Sequence, residues 1–296
     1  MKTLRIGTRG SALALAQTNI VREALAGVLP GIACEVVPIR TTGDILADAS
    51  LDAIGGKGVF VKDIERELMG GSIDIAVHSL KDMQASLPDG LTIGAFLPRE
   101  DPRDMLFSGG FLRLEDLPAG SRVGTSSMRR RCQLAVLRPD ILVVGIRGNV
   151  ATRLGRVGSS VDAVILASAG VRRLGMTPGV ALDPEVMVPS PGQGIIAVEC
   201  RADDAAVMSL LSGIDHIPTR TCAEAERSFL AALGQDCRLP AGALAELDGG
   251  MIAMRGVLGT PDCSRCVCMQ ASGRDETVGS GLARMLQDRI RGLTDT

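Results

Sequence analysis

The sequence alternates short apolar runs with longer segments of helical periodicity, which restricts the chain to folds in which helices cover a mainly parallel sheet. Residues 4–7 predict a buried strand, and Ser11 can cap the helix that follows it. The same alternation of predicted strands and helices occurs again over residues 122–166. We therefore expect two consecutive α/β units.

Two proline-bounded segments, residues 98–102 and 189–191, separate these units and suggest that the chain crosses to the second unit and then returns to the first. Further on, Thr221 and Glu224 fit a capping box for a helix that ends at Gly234, and strand candidates and a terminal helix follow. The predicted domains are domain 1, residues 1–97 with 196–216; domain 2, residues 98–195; and domain 3, residues 217–296, a small α+β unit.

The composition argues against nucleic acid or anionic membrane as a partner. The formal net charge of the 296 residues is −2, and Tyr and Trp, which form stacking platforms for single-stranded nucleic acid, are absent. No apolar stretch reaches the roughly 18 residues of a membrane span, and residues 1–8 show no basic-then-apolar leader. We expect a soluble, cytoplasmic protein whose eight cysteines are free thiols.

Positive charge is concentrated in one part of the chain. Between residues 121 and 156 a single acidic residue, Asp140, accompanies eight arginines: Arg122, Arg129, Arg130, Arg131, Arg138, Arg147, Arg153 and Arg156. The segment 124–130 places hydroxyls and arginines at a strand-to-helix turn, where free backbone N–H groups favour an anion. A solvated basic helix face is the alternative, but Arg147 and Arg153 belong to another connection that a parallel sheet brings to the same edge.

Two further loops carry reactive groups. Lys81 and Asp82 follow a predicted strand at residues 73–77 and present a cation beside a carboxylate, although, taken alone, an exposed turn without function is the better interpretation. Arg9 and Ser11 follow the first strand in the same way. Cys237 stands in a loop beside Arg238, which favours a thiolate, and Asp236, which opposes it.

Three further sequence patterns give only weak evidence for a binding site. The segment 192–197 matches a dinucleotide-binding pattern but lacks the strand-turn-helix context, and the loop Gly55-Gly-Lys-Gly58 lacks the hydroxyl residue of a phosphate loop, so a hinge or lid is the better interpretation. Cys263, Cys266 and Cys268 have the spacing for a soft metal but no evident fourth ligand. We expect no metal.

Five segments, taken together and in this order, resemble the porphobilinogen deaminase family, from residue 3 to about Gly249. They are Gly7-Thr-Arg-Gly-Ser-Ala-Leu-Ala-Leu-Ala-Gln17, His78-Ser-Leu-Lys-Asp82, Gly124-Thr-Ser-Ser-Met-Arg-Arg130, Arg147-Gly-Asn-Val-Ala-Thr-Arg153 and Gly234-Gln-Asp-Cys237. The resemblance implies an α/β fold of two periplasmic-binding-protein-like domains (type II) with a cleft between them, plus a small α+β C-terminal domain. It also implies a dipyrromethane cofactor, bound covalently through a thioether to Cys237.

The implied activity is that of a transferase, hydroxymethylbilane synthase, acting in tetrapyrrole and haem biosynthesis. Porphobilinogen units are condensed head to tail on the cofactor with release of ammonia, and the product is hydrolysed off as hydroxymethylbilane. Each unit carries an acetate and a propionate, so the growing chain is a polyanion that arginines can bind. The implied partner is porphobilinogen alone, with neither nucleic acid nor membrane, and the implied state is a monomer.

The resemblance also assigns site residues. Asp82 is the implied catalytic residue, because its carboxylate can stabilise the azafulvene cation that remains when ammonia leaves. The implied cofactor-binding residues are Cys237, Lys81, Asp82, Ser127, Arg129, Arg130, Thr125, Gly192 and Gln193. The implied substrate-binding residues are Arg9, Ser11, Arg147, Arg153, Gln17 and Phe60.

The chain departs from the family pattern at two places. Met83-Gln84 follows Asp82 where the family has a proline that stiffens the loop, and Gln235 and Asp236 stand where it has two glycines before the cysteine. Two rival interpretations remain: a non-catalytic two-lobed protein that binds an anionic solute, and a transferase acting on a phosphorylated substrate.

Overall fold

The computed structural model describes residues 3–42, 61–110, 113–234 and 239–294. The strands in these residues are β1 Leu4–Arg9, β2 Cys34–Ile39, β3 Ile75–Ser79, β4 Leu91–Phe96, β5 Asp104–Ser108, β6 Arg122–Gly124, β7 Leu142–Val144, β8 Ala163–Ala167, β9 Val180–Ala181, β10 Ile196–Arg201, β11 Ala241–Asp248, β12 Met251–Gly259 and β13 Cys266–Gly273. The α-helices are α1 Ala12–Val28, α2 Lys62–Met69, α3 Met128–Leu137, α4 Val150–Leu154, α5 Ser168–Arg173, α6 Ala205–Ser212, α7 Ile217–Ala232 and α8 Thr277–Thr294.

The first sheet has the strand order β2-β1-β3-β10-β4. β10 is antiparallel to both of its neighbours, whereas β1 is parallel to β2 and to β3. One face packs Ile6 against Val21 and Leu25 of α1, and the other packs Ala76 against Ile64 and Leu68 of α2. Helices thus cover both faces, which removes the apolar side chains of the strands from water.

The second sheet has the order β7-β6-β8-β5-β9, and β5 is its antiparallel strand. Leu134 of α3 packs on one face beside Val123, and Val171 of α5 packs on the other beside Val164. In both sheets four of the five strands run in one direction and the fourth position is filled by a reversed strand. The expectation of two mainly parallel α/β units is confirmed.

The sequence analysis missed two strands of this second sheet. β5 starts with the buried Asp104 just after Pro102, so its charge and its proline neighbour concealed an apolar strand. β9 is only two residues long, Val180–Ala181. Both strands lie at one side of the sheet and pair with strands that are distant in sequence. Local sequence patterns do not reveal such pairing.

The third sheet, β11-β12-β13, is antiparallel and belongs to the C-terminal part of the chain. Phe229 of α7 and Leu282 and Leu286 of α8 cover it, together with Ile252 from the sheet itself. A small α+β unit at the C-terminus is therefore confirmed. The predicted start of α7 at Thr221 is wrong: the helix begins at Ile217, and the Thr221 hydroxyl donates to Ile217 O at 3.1 Å inside it.

The described chain divides into two compact units, Met1–Glu100 with Ile195–Thr221, and Asp101–Gly194 with Cys222–Thr296. The first holds the β2-β1-β3-β10-β4 sheet, and the second holds the other two sheets. None of the helices in the described ranges is both long enough and apolar enough to cross a membrane.

Helix α8 approaches α7 so closely that one of its positions requires glycine. A Cβ at Gly279 would lie 1.9 Å from Ala225 O and 2.8 Å from Phe229 N, whereas a Cβ at Gly281 would meet nothing within 4 Å. We predict that Gly279→Ala lowers the free energy of unfolding by about 1–3 kcal/mol or more through overpacking. The matched variant Gly281→Ala should raise it by about 0.5–1 kcal/mol because alanine favours the helix.

Urea unfolding of the two variants beside the unchanged protein measures both effects. Equal changes in the two variants would show that the α7–α8 contact is not as close as described.

Candidate active site

The first unit gathers predicted site residues at the carboxyl ends of β1 and β3. β1 ends at Arg9 and β3 ends at Ser79, and the two strands are parallel, with Ile6 opposite Ile75. Parallel strands end at the same edge of a sheet, and in α/β folds ligands bind outside that edge. Arg9 therefore lies at the edge from which the turn Leu80–Asp82 begins.

Two side chains near the start of α1 make positioning hydrogen bonds at this edge. Ser11 is the N-cap of the helix, and its Oγ accepts from Ala14 N at 3.3 Å. Gln17 is buried, and its Nε2 donates to Ser79 Oγ at 2.7 Å. The second bond joins α1 directly to the end of β3 and holds the two predicted loops beside each other.

Asp82 belongs to a short 3-10 turn with a buried residue at each side. Leu80 and Met83 are 4% and 2% exposed, and Met83 N donates to Leu80 O at 3.0 Å. Asp82 itself is exposed, and its carboxylate has no hydrogen-bond or ion-pair partner among the residues that the structure describes. Burial of Met83 thus anchors the turn that a proline would otherwise stiffen.

His78, in the same segment, is an interior residue. It is 6% exposed, and its Nε2 lies 3.0 Å from Oε2 of the fully buried Glu199 on β10. Burial raises the pKa of Glu65 nearby, and the charge of Glu199 raises it further. The His78–Glu199 pair therefore supports the interior side of β3 and does not contribute to the exposed edge.

In the second unit, the turn from β6 into α3 is shaped by its own hydroxyl groups. Thr125 is buried, and its Oγ1 accepts from Ser127 N at 3.2 Å. Ser127 is the N-cap of α3, and its Oγ accepts from Arg130 N at 3.5 Å. These contacts leave the first N–H groups of the helix at the sheet edge, where they favour negative charge.

The neighbouring connection, after β7, carries Arg147 and Arg153. β6 and β7 are parallel, and Ser126 Oγ donates to Ile146 O at 2.5 Å, which joins the two connections. Arg147 is exposed, and Arg153 is half-buried with its Nε donating to Gly148 O at 2.7 Å. The arginine-bearing connections lie side by side, as the parallel sheet predicts.

Arg129 and Arg130 do not lie on a solvated basic helix face, which was the alternative interpretation of the arginine-rich segment. Each is only 6% exposed, and they share the fully buried Asp104: Arg129 Nη1 is 2.8 Å from Oδ2, and Arg130 Nη2 is 2.8 Å from Oδ1. Arg129 Nη1 also donates to Val188 O at 2.6 Å. Arg130 Nε is buried and has no acceptor among the described residues.

This pairing changes the charge of the cluster. Burial alone would raise the pKa of the Asp104 carboxyl, but the charges of Arg129 and Arg130 and their hydrogen bonds outweigh burial and hold the pKa below its ordinary value. Asp104 stays ionised and offsets part of the positive charge of the arginine-rich segment 121–156. Asp140, in the same segment, is paired with Arg138 at 2.7 Å.

Gly192 and Gln193 form a turn that is held at two places. Gln193 Nε2 donates to Asp104 Oδ1 at 2.8 Å, and Gly192 N donates to Oε2 of the buried Glu226 at 2.5 Å. Glu226 Oε1 in turn accepts from Ala245 N at 2.8 Å. Gly192 has a φ of 74°, in the left-handed region that favours glycine. The turn is thereby tied both to Asp104 and to the C-terminal sheet.

Sequence reasoning missed Asp104 and Glu226. Both are single acidic residues in otherwise ordinary segments, and their importance depends on partners that are distant in sequence. Several predictions lie outside the described residues: Cys237, its neighbours Gln235 and Asp236, Phe60, and the loop at residues 55–58. Over the four described ranges, no three His, Cys, Asp or Glu side chains are arranged to hold a metal ion.

The fold and these side chains define an α/β protein of the class that binds its ligand outside the carboxyl ends of the strands. A family model described as "Porphobilinogen deaminase, dipyromethane cofactor binding domain" matches residues 4–209, and one described as "Porphobilinogen deaminase, C-terminal domain" matches residues 220–288. The chain belongs to the porphobilinogen deaminase family, and it is thereby a transferase with a dipyrromethane cofactor binding domain.

Curated relatives agree with these matches over nearly the whole chain. Porphobilinogen deaminase of Roseiflexus sp. (strain RS-1) is 47% identical over 285 residues, which cover 95% of this chain and 94% of the relative. The protein of the same name from Acidithiobacillus ferrooxidans (strain ATCC 53993 / BNL-5-31) is 45% identical over 299 residues, which cover 97% of this chain and 98% of the relative. The resemblance found in the sequence is confirmed.

We predict that Asp104→Asn lowers the free energy of unfolding by about 3–5 kcal/mol, because it leaves two buried guanidinium groups without a counter-charge. The matched variant is Asp140→Asn, which removes the charge of an exposed carboxylate paired with Arg138 and should change stability far less. Denaturant unfolding monitored by far-UV circular dichroism measures both. Similar losses in the two variants would contradict the central position given to Asp104.

Proposed function

We propose that this protein condenses porphobilinogen stepwise and head to tail, with release of ammonia, and then releases hydroxymethylbilane by hydrolysis. The observation that carries the proposal is the exposed Asp82 carboxylate, which has no partner among the described residues and lies beside Lys81 at the carboxyl end of β3. We further propose that it works in the cytoplasm as a monomer, with the three domains at the predicted boundaries.

The donor groups of the chain fit a polyanionic pyrrole ligand. Arg147 is exposed on the connection after β7, and the N-terminus of α3 lies beside that connection. Arg130 Nε is a buried N–H with no acceptor in the described part of the chain, an arrangement that a ligand carboxylate would satisfy. When bound, the dipyrromethane group supplies the pyrrole carbon to which new units are added. We propose that Cys237 holds it by a thioether.

Asp82 is the proposed catalytic residue. Departure of ammonia from porphobilinogen leaves positive charge on the pyrrole and its methylene carbon, and a carboxylate in fixed position stabilises that charge without having to reorient. The buried Leu80 and Met83 hold the turn, and their hydrogen bond closes it. The exposed Asp82 is thereby directed away from the core by its two buried neighbours.

Carboxylate binding is the proposed task of the cations. Arg9 and Lys81 lie at the edge of the first sheet, and Arg147 and Arg153 lie at the edge of the second. A guanidinium group can hold a carboxylate through two parallel hydrogen bonds, which fixes orientation as well as position. Arg129 and Arg130 act differently in this proposal: held by Asp104, they offer only their remaining N–H groups to the cofactor.

Asp82→Asn is predicted to lower kcat by at least about 10²–10³-fold, because the amide cannot balance the developing positive charge. The variant should keep the covalent cofactor, since Asp82 does not attach it. Turnover of porphobilinogen and intact mass of the same sample measure these two outcomes. The control is Asp89→Asn, an exposed aspartate further along the same loop, which should leave turnover unchanged. Full activity in Asp82→Asn would remove Asp82 from the mechanism.

Intact mass under denaturing conditions, followed by peptide mapping, is predicted to show two linked pyrrole units on the peptide that contains Cys237. Cys237→Ala should lack this mass increase, whereas Cys34→Ser, which alters a half-buried thiol in β2, should retain it. A polypeptide that carries no adduct and acquires none from porphobilinogen would instead favour the non-catalytic solute-binding function.

A further inference from the structure

A group of cysteines lies in the second unit, where α3 contacts the C-terminal sheet. Cys132 is in α3 and fully buried, Cys263 is buried in the turn between β12 and β13, and Cys266 is half-buried at the start of β13. The proposed function uses none of the three. Because α3 packs against both β12 and β13, these thiols come from two predicted domains and meet at their contact.

The backbone around Cys132 places its sulfur beside Cys266. A Cβ on Gly259 would lie 2.0 Å from Cys132 Sγ, so the thiol occupies the space that a side chain on β12 would fill. Gly259 is paired with Cys266 in the β12–β13 ladder. Cys132 Sγ also lies 3.4 Å from the carbonyl oxygen of Arg265, the residue before Cys266. Both contacts locate Cys132 Sγ at the position of Cys266 along β13.

The pKa values of the two thiols are shifted in opposite directions. A hydrogen bond from Cys132 lowers the pKa of Cys266, and the same bond, followed by burial, raises the pKa of Cys132 well above its ordinary value. Cys266 is therefore the nucleophilic sulfur, and it is also the one that solvent reaches. Burial raises the pKa of the third thiol, Cys263, to about 11, which leaves it a poor nucleophile.

We propose that Cys266 and Cys132 are a redox-active pair that forms a reversible disulfide by exchange with a low-molecular-weight disulfide. The Cys266 thiolate attacks the small disulfide, forming a mixed disulfide and releasing one small thiolate. The Cys132 sulfur then gives up its proton and attacks Cys266 Sγ, which releases the second small thiol. The small disulfide is reduced by two electrons, and the two cysteine thiols are oxidised by the same two.

The disulfide would join α3 to β13. Ser127, Arg129 and Arg130 lie at the N-terminal end of α3, so the link would connect the helix that carries these side chains to the C-terminal sheet. It would close a loop of more than a hundred residues, and cross-links of that length restrict the unfolded chain strongly. Oxidation should therefore raise the unfolding temperature of this unit.

The experiment equilibrates the holoenzyme in mixtures of reduced and oxidised glutathione, quenches with acid, alkylates free thiols and maps peptides without reduction. The expected result is a cross-linked pair of peptides containing Cys132 and Cys266 that disappears on reduction, together with a higher Tm in the oxidised sample. Cys132→Ser should stop at a glutathione adduct on Cys266, since the resolving thiol is gone. Cys268→Ser, on the exposed next-but-one residue of β13, is the matched control and should keep the cross-link.

Alkylation of both Cys132 and Cys266 across the whole range of glutathione mixtures would overturn the proposal, as would glutathione adducts confined to Cys268. A cross-link from Cys132 to Cys263 that persists in Cys266→Ser would overturn the choice of pair. The readout is chemical and does not depend on porphobilinogen turnover, so it stands or fails separately from the proposed function.

Discussion

The buried carboxylate of Asp104 is the contact on which the second unit is organised. It forms ion pairs with both Arg129 and Arg130 at 2.8 Å and accepts a third hydrogen bond from Gln193. Two buried cations without it would cost several kcal/mol in desolvation. Through these bonds one residue of β5 fixes the start of α3 and the turn that leads to β10. Glu226 then ties the same turn to the C-terminal sheet.

The edge of the first sheet is built by a different principle, apolar anchoring. Leu80 and Met83 are buried on either side of Lys81 and Asp82, which leaves Lys81 half-buried and Asp82 exposed. No ion pair within the described residues holds the Asp82 carboxylate, which in the proposed function leaves it available for positive charge on a substrate. A carboxylate that is already paired with cations of the protein, as Asp104 is, would stabilise a positive charge on a substrate much less.

The sequence alone predicted much of this arrangement and failed where distant residues decide. Alternating apolar runs and helical periods predicted both α/β units, and the position of Lys81 and Asp82 after a strand predicted their edge location. Burial of Arg129 and Arg130 could not be foreseen, because their partner Asp104 is about 25 residues away on a strand that its own charge concealed. The start of α7 at Ile217 was missed because a capping-box pattern at Thr221 occurs inside the helix.

The arginines of the cluster therefore divide into two groups with different physical tasks. Arg129 and Arg130 are buried and form ion pairs with Asp104, so they mainly position α3 and its N–H groups. Arg147 and Arg153, on the neighbouring connection, keep contact with solvent and so with any polyanion that arrives from it. In the proposed function, an anion bound by Arg147 or Arg153 meets helix N–H donors that the bonds to Asp104 already hold in place, so binding need not order them at the cost of conformational entropy.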